Sequence, residues 1–445
     1  MGWGAPLSSR TLGIREGFQL RLLSGTESED VVERICTRMF FSDFVVRNPE
    51  YRKPKGKKIE LADIIVPFGN NLLAFQVKSK FQPTKATEKS EIDFQRITDS
   101  INEAVNQTKT INRALRNNWL RRMKTSKGLE IDIDPTKIEA VIGIVVLDLV
   151  GEELLSREEQ TQLFSSFTIR HGLPIHVFLA HEFYEISSEL DTLPDFLRFL
   201  DVIQSLYTQD LFIFPPSVLD LLAFYKMDPD KIDRVISDEI RIHIEDGFWE
   251  AYHRDHADAI AERDRLNEPS YLIDGIIDYL HTSVGYEALP KDHELAKISG
   301  QGSIDGYLTL AREIASLSRL ERRSLGERLM RCLQDSMKKA QAFSILYVKE
   351  RRLGYLVLAK SGDRTERQVF LHRLTAMAYC YLGLDKTIGI ATEPISGEGR
   401  SYDVLGFSGV EFENSNELAE AAKSFFGEPY SVGGSEYSQS SIPDA

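Results

Sequence analysis

Glu33, Asp63, Gln76 and Lys78 are the residues of this chain whose types and spacing could do chemistry together. Three of them lie in the stretch 60–80, ELADIIVPFGNNLLAFQVKSK, which reads as two strands joined by a tight turn. Ile64, Ile65 and Val66 form one apolar run and Leu72, Leu73, Ala74 and Phe75 the next. Gly69, Asn70 and Asn71 between them tolerate left-handed backbone. Alternation puts Gln76 and Lys78 on one face of the second strand and Val77 on the other. A carboxamide and an ammonium there are costly to bury without partners. Asp63, on the neighbouring strand of the hairpin, is within pairing reach, and Glu33, flanked by Val32 and Ile35 on a preceding helix, can face the sheet. Two acids, an amide oxygen and a lysine meeting at one spot suit a hard divalent cation, Mg²⁺ or Mn²⁺. Such a cation polarises a phosphoryl oxygen and acidifies a bound water. A lysine beside it orients that water and stabilises the charge that develops. The chemistry implied is hydrolysis of a phosphodiester.

These side chains need a scaffold, and the flanking sequence supplies one. GTESEDVVERICTRMFFSDFVVR predicts a helix from about Ser28 to Phe40, capped by Ser28 or Thr26 with Glu29 and Asp30 in its first turn. A strand follows over about Phe41 to Arg47, and RKPKGKK is a polar loop before the hairpin. Beyond the hairpin, Phe94, Ile97, Ile101, Ala104, Val105, Ile111 and Leu115, with Thr108 filling the gap, recur every three or four residues and define one long amphipathic helix. The apolar strands IEAVIGIVVLDLV and PIHVFLA come next, separated by a polar helical stretch around 152–167. Strands mixed with covering helices predict an α/β sheet with both faces buried. A helix starting near Pro194 closes this unit.

The order helix, strand, strand, strand, helix, strand, with Asp63 and then QVK from residue 76, resembles the PD-(D/E)xK nuclease superfamily. The glutamine-containing form is similar to Mrr-like restriction endonucleases. The resemblance covers about residues 26–181 and implies a restriction-endonuclease-like mixed sheet flanked by helices. It implies Asp63 as the central metal ligand, Gln76 as a ligand through its amide oxygen and Lys78 as the catalytic lysine. Glu33 matches the acid on the first helix, and Gln107 the glutamine that the later helix brings near the phosphate. Residue 62 is Ala rather than Pro, and strand parity sets Glu60 on the opposite face from Asp63.

At 445 residues, more than one domain is expected. The division expected is a nuclease domain over 1–208, a mainly helical region over 209–340, a smaller α/β domain over 341–428 and a disordered tail over 429–445, with LFIFPPS as a junction. The net charge of −14 argues against a protein that coats nucleic acid. Basic charge is nonetheless dense locally, with six basic side chains in 47–60 and six in 111–127. Lys55, Lys57, Lys58, Arg113, Arg116, Arg121 and Arg122, with Arg52 and Lys53, are the candidates to neutralise phosphates. Cys36, Cys332 and Cys380 are few and far apart, as in a reducing cytoplasm. No apolar run spans a bilayer, and the first residues carry neither a secretory nor a myristoylation pattern.

Other constellations read as ordinary structure. His253 and His256 fit an exposed acidic helix face, His181 and Glu182 a surface loop, and Ser361, Gly362 and Asp363 a helix cap. The function expected is a cytoplasmic, Mg²⁺-dependent nuclease, with DNA as the favoured substrate and a role in restriction or antiviral defence. Its C-terminal half would meet a protein partner or a second copy. The competing reading is a catalytically inactive nuclease fold that binds nucleic acid or a protein.

Overall fold

A computed structural model of the chain describes residues 25–52, 58–79, 94–125, 130–148, 173–280, 304–348, 351–394, 401–412 and 414–426. The chain is a mixed α/β protein, and its contacts divide it into two compact units with the boundary between Ala261 and Glu262. The helical stretch expected over 209–340 is therefore shared between the units, and LFIFPPS lies inside the first one. No helix among the described residues is long and apolar enough to cross a membrane.

The first unit opens with α1 (Gly25–Phe40). Where a strand from Phe41 was expected, Phe41 turns left-handed with φ of 65° and Ser42–Phe44 form a turn, leaving only β1 (Val46–Arg47). The reason is that Phe41 and Phe44 are needed in the core, where Phe44 packs edge-on against Phe68 at 5.9 Å. Two short strands, β2 (Glu50–Arg52) and β3 (Lys58–Glu60), pair antiparallel on either side of the basic segment. Then come β4 (Ile64–Phe68) and β5 (Asn71–Ser79). Phe68 pairs with Asn71, so the hairpin turn is two residues, with Gly69 at φ 58°. A left-handed first turn position of this kind suits glycine and matches the twist of the strands.

The long helix is α2 (Phe94–Arg116), followed by a small hairpin of β6 (Arg122–Lys124) and β7 (Glu130–Asp132), then β8 (Ala140–Asp148) and β9 (Ile175–Leu179). The helical stretch expected around 152–167 lies outside the described residues. The sheet runs β1-β4-β5-β8-β9, antiparallel on the β1–β4–β5 side and parallel from β5 through β8 to β9. In register, Gln76 pairs with Val145 and Lys78 with Leu147, while Phe75 pairs with Ile144 and Val77 with Val146.

That register sorts the two faces. Ile97, Ile101, Ala104 and Val105 of α2 pack on Val145, Leu147, Ile175, Val177 and Leu179, so α2 covers the face that carries Gln76 and Lys78. The opposite face carries a phenylalanine cluster: Phe40 of α1 lies 6.0 Å from Phe75, and Phe75 lies 5.7 Å from Phe183 of α3 (Ala180–Glu189). Phe183 in turn meets Phe196 of α4 (Leu193–Thr208) at 6.1 Å. Such offset and edge-on pairs add to the burial of each ring. The unit continues through β10 (Phe212–Phe214), α5 (Val218–Met227), α6 (Pro229–Ser237), β11 (Ile242–His243) and α7 (Phe248–Asp255).

The boundary falls inside α8 (Ala257–Leu280). The second unit adds α9 (Ile304–Ala315), α10 (Arg319–Lys339), β12 (Gln341–Val348), β13 (Leu353–Lys360), α11 (Arg364–Leu382), β14 (Lys386–Thr392), β15 (Tyr402–Ser408) and α12 (Ser415–Phe426). Its sheet runs β12-β13-β14-β15 in chain order, with a parallel pair in the centre. Asp274 accepts from both Arg319 (2.9 Å) and Arg322 (2.8 Å), and Asp403 from Arg364, Arg367 and Gln368. These buried charges are compensated on the spot, which is what makes their burial tolerable.

Helix α2 sits so close to β8 because residue 143 is glycine. A Cβ there would lie 2.5 Å from Ile175 Cδ1 and 2.9 Å from Thr108 Oγ1, and Thr108 is itself bonded to the Ala104 carbonyl. Gly143→Ala should therefore cost about 1–3 kcal/mol through overpacking. A thermal melt should show a lower midpoint, partly recovered in Gly143→Ala/Ile175→Val; an unchanged midpoint would contradict the close contact.

Candidate active site

The ladder between β4 and β5 ends at the pair Ile64 and Phe75. Asp63 comes next, opposite Gln76 by continuation of the register. Instead of extending the ladder, its side chain takes over: Oδ2 accepts a 2.6 Å hydrogen bond from the Val77 amide. From the other side, the Asn48 amide donates to the Asp63 carbonyl at 2.8 Å. The carboxylate is thus locked onto the end of β5. Burial pushes its pKa up to about 6, against the Val77 hydrogen bond and the Lys78 charge, which pull it down. The charges of Glu29 and Glu60 push it further up.

Gln76 is 0% exposed. Its Nε2 donates to the Leu61 carbonyl at 3.3 Å, and its Oε1 has no hydrogen-bond partner. A buried acceptor left unpaired costs about 1–3 kcal/mol, so this oxygen is open to a ligand, whether a cation or a buried water. Lys78 extends from the same face toward α2, where its Nζ donates to Gln107 Oε1 at 3.4 Å and pairs with Glu103 Oε2 at 3.6 Å. The lysine is 17% exposed and remains close enough to lower the Asp63 pKa. The structure therefore sets Asp63 and Gln107 near Lys78 at the carboxyl end of β5, with Gln76 two residues earlier on the same face; the carboxyl ends of parallel strands are the edge at which open α/β sheets bind ligands.

Glu33 is placed differently. Arg47 Nη1 donates to Glu33 Oε2 at 2.8 Å, while Nη2 of the same guanidinium lies 2.6 Å from Asp30 and 3.8 Å from Glu29. The α1 acid whose charge reaches Asp63 is Glu29, one turn earlier. Glu60 also acts on Asp63, although strand parity set it aside. Parity assumed one strand from Glu60 onward, whereas β3 ends at Glu60 and β4 begins at Ile64. Ser28, expected as a cap, lies inside α1 because the helix starts at Gly25. Its hydroxyl instead donates to Asp148 at the end of β8, tying the first turn of α1 to the same sheet edge. Glu29, Arg47, Glu103 and Asp148 thus belong to the surroundings of the site. The density of charge in EDVVER and at Arg47 was the signal for the first two; nothing in the sequence singled out Glu103 or Asp148.

Among the described residues, no group of three or more His, Cys, Asp or Glu side chains could hold a metal ion. A closed tetrahedral site of the zinc type does not fit. Asp63 and the orphaned Gln76 oxygen do fit Mg²⁺ or Mn²⁺, hard ions bound through one or two carboxylates while keeping most of their waters. The charges of Glu29 and Glu60 that act on Asp63 are of the sign that attracts a cation.

Of the basic candidates, Lys53, Lys55 and Lys57 lie outside the described residues, and Lys58 and Arg52 are described only in backbone, as parts of β3 and β2. Arg113, Arg116 and Arg121 are exposed on the last turns of α2 and just beyond it. Arg122 is neutralised by its own hairpin, at 2.9 Å from Asp132 and 3.4 Å from Glu130. His181 and Glu182 open α3 rather than a loop, and the Glu182 carboxylate caps the Leu179 amide at 2.8 Å. His253 stacks edge-on against Trp249 at 4.2 Å, and Asp363 caps α11 through the Thr365 and Glu366 amides.

Compared with known proteins, the chain matches no protein-family model, no curated protein and no solved structure.

The Asp63 shift has a stability consequence. Its folded pKa of about 6 lies above the usual 3.8, so between those values the folded state binds the extra proton. Stability from this group is therefore greatest below pH ~4 and declines as pH rises through ~6. Asp63→Asn should raise the melting temperature at pH 8, by up to roughly 3 kcal/mol of stability, and leave it nearly unchanged at pH 4. Equal shifts at both pH values would contradict a desolvated carboxylate.

Proposed function

We propose that the first unit is a metal-dependent nuclease with a restriction-endonuclease-like fold, hydrolysing phosphodiester bonds of nucleic acid. The observation that carries this reading is the meeting of Asp63, Gln76 and Lys78 where the β4–β5 ladder ends, with the buried Gln76 oxygen unpartnered. The strand order β1-β4-β5-β8-β9, with a helix on each face, supports the same fold. A desolvated carboxylate and an unsatisfied amide oxygen at one sheet edge are costs of the kind that concentrate at functional sites.

A divalent cation held by Asp63 and Gln76 would polarise the phosphoryl oxygen and acidify the attacking water. The protein's own residues do the rest. The Val77 amide and the Asn48 amide fix Asp63 so that its carboxylate keeps one orientation. Gln107 and Glu103 steer the Lys78 ammonium along the α2 face, from which it donates to the water or to the developing phosphoryl charge. Above pH ~6 Asp63 is ionised, so its attraction for a cation is lost on acidification through that value. Arg113, Arg116 and Arg121 offer exposed positive charge for the phosphate backbone. DNA as substrate, a place in restriction or antiviral defence and a cytoplasmic setting follow from the resemblance and the cysteine usage.

A second reading is a nuclease fold that binds without cutting. It is favoured by the pairing of Lys78 with Glu103 and of Glu33 with Arg47, which ties both to other side chains of the protein. The two readings part on one assay. Plasmid, linear DNA, single strands and RNA are incubated with the protein and Mg²⁺ or Mn²⁺, beside Asp63→Ala and Lys78→Ala. Cleavage by the parent should fall at least ~100-fold in each variant, the size expected when an electrostatic or acid–base group is lost. Equal residual cleavage in all three would sink the nuclease reading, and binding without cleavage would leave the second.

A further inference from the structure

We propose that the corner at the end of α2 is a docking surface for single-stranded nucleic acid, on which Trp119 stacks an unpaired base and Arg113, Arg116 and Arg121 take the phosphates. In one respect this rests on the nuclease reading: the strand held here is the one presented to Asp63.

The corner fixes its side chains outward. Asn118 is left-handed, with φ of 61°. Its amide donates to the Leu115 carbonyl and the Trp119 amide to the Ala114 carbonyl, both at 2.9 Å. This pair of bonds ends a helix in a left-handed turn, and the residue after that turn ordinarily lays an apolar side chain back on the helix. Trp119 occupies that position and is nonetheless 42% exposed. On the far side Leu120 is buried, and the Ile133 amide donates to the Arg121 carbonyl at 2.7 Å. The indole thus stands on backbone held from both directions, so little ordering is left to oppose a ligand. Trp249, the other tryptophan among the described residues, packs instead on Tyr252 and His253.

The charge around the indole is one-sided. Arg113, Arg116 and Arg121 are exposed, and no acid lies between residues 111 and 127. The acids just beyond are engaged elsewhere: Asp132 and Glu130 hold Arg122, and Asp134 holds Thr136 and Lys137. Among the described residues, Arg113, Arg116 and Arg121 have no ion-pair partner. The helix dipole accounts for a basic last turn of α2, but not for a tryptophan and an arginine beyond it. Cationic side chains on the backbone and an aromatic face for a base are the two elements with which proteins hold a single strand. Along a duplex both faces of each base are already stacked, so the indole suits a base that is unpaired.

Helix α2 links this corner to the site. Arg113 lies six residues beyond Gln107, the side chain that holds Lys78, which is about 9 Å along the helix axis. Asn106, Arg113 and Asn117 are exposed on one ridge, at spacings of seven and four. A strand lying on that ridge runs from the corner toward Lys78.

Fluorescence anisotropy of labelled single-stranded DNA, single-stranded RNA and blunt duplex DNA, titrated with the full-length protein in EDTA so that nothing is cut, tests the surface. The parent should bind the single strands more tightly than the duplex, and the tighter of the two identifies the sugar it prefers. Trp119→Ala should weaken single-strand binding about tenfold, the loss of one stacked base, and leave duplex affinity unchanged. Trp119→Leu, apolar but not aromatic, should weaken it similarly and carries the test if Trp119→Ala does not fold, whereas Trp119→Phe should keep most of the affinity. Arg113→Gln/Arg116→Gln/Arg121→Gln should reduce the slope of log affinity against log salt by about two. Single-strand binding that is absent, no tighter than duplex binding, or indifferent to the Trp119 variants overturns the proposal; cleavage in Mg²⁺ that disappears in Asp63→Ala would then leave the nuclease reading standing. Binding as expected, with no Asp63-dependent cleavage of the same strands in Mg²⁺ or Mn²⁺, overturns the nuclease reading and leaves the surface.

Discussion

The hydrogen bond from the Val77 amide to the Asp63 carboxylate, at 2.6 Å, is the contact on which the site depends. It stands where backbone pairing between β4 and β5 has just ended, so a side chain does the work of the next rung. Had the ladder continued, Asp63 would be one more residue of an apolar hairpin with its carboxylate turned outward. Because the ladder stops, the carboxylate folds onto the strand end and is carried out of water. Burial is the largest influence on its pKa for that reason, outweighing both the amide and the lysine.

The sheet then decides what meets that carboxylate. β5 is the central strand, antiparallel to β4 on one side and parallel to β8 on the other. A parallel neighbour needs a long crossover, and α2, the described helix between these strands, lies on the face where Gln76 and Lys78 point. Gly143 lets α2 approach closely enough that Thr108 packs on β8, which brings Glu103 and Gln107 of the same helix to Lys78. The aromatic cluster of Phe40, Phe75, Phe183 and Phe196 holds the opposite face and anchors α1. Chemistry-bearing groups sit on one face and the largest apolar payload on the other.

The charges near the site differ from those around Asp274 and Asp403 in the second unit, where each buried carboxylate faces two guanidinium groups. There, buried carboxylates meet two or more hydrogen-bond donors each. Around Asp63, the charges of Glu29 and Glu60 act against that of Lys78, and a fully buried amide oxygen goes unpaired.

The hairpin, the long helix and the two later apolar strands were legible in the sequence because each is written in local pattern: Ile64 to Val66 against Leu72 to Phe75, the three-and-four spacing from Ile97 to Leu115, and the apolar runs of β8 and β9. The same alternation put Gln76 and Lys78 on one face and proximity along the chain put Asp63 beside them. What periodicity could not supply was any choice among residues equally able to face the site. Glu29, Asp30 and Glu33 all lie on one stretch of α1, and only the reach of Arg47 from β1 decided which is held at 2.8 Å. Likewise the break after Glu60, which undid the parity argument, comes from β3 pairing with β2. The tie between Ser28 and Asp148 joins residues 120 apart in sequence. Local pattern determined the elements and the faces of their side chains; partners across the sheet, unequal in distance and burial, decided which acids stand near Asp63 and which are held elsewhere.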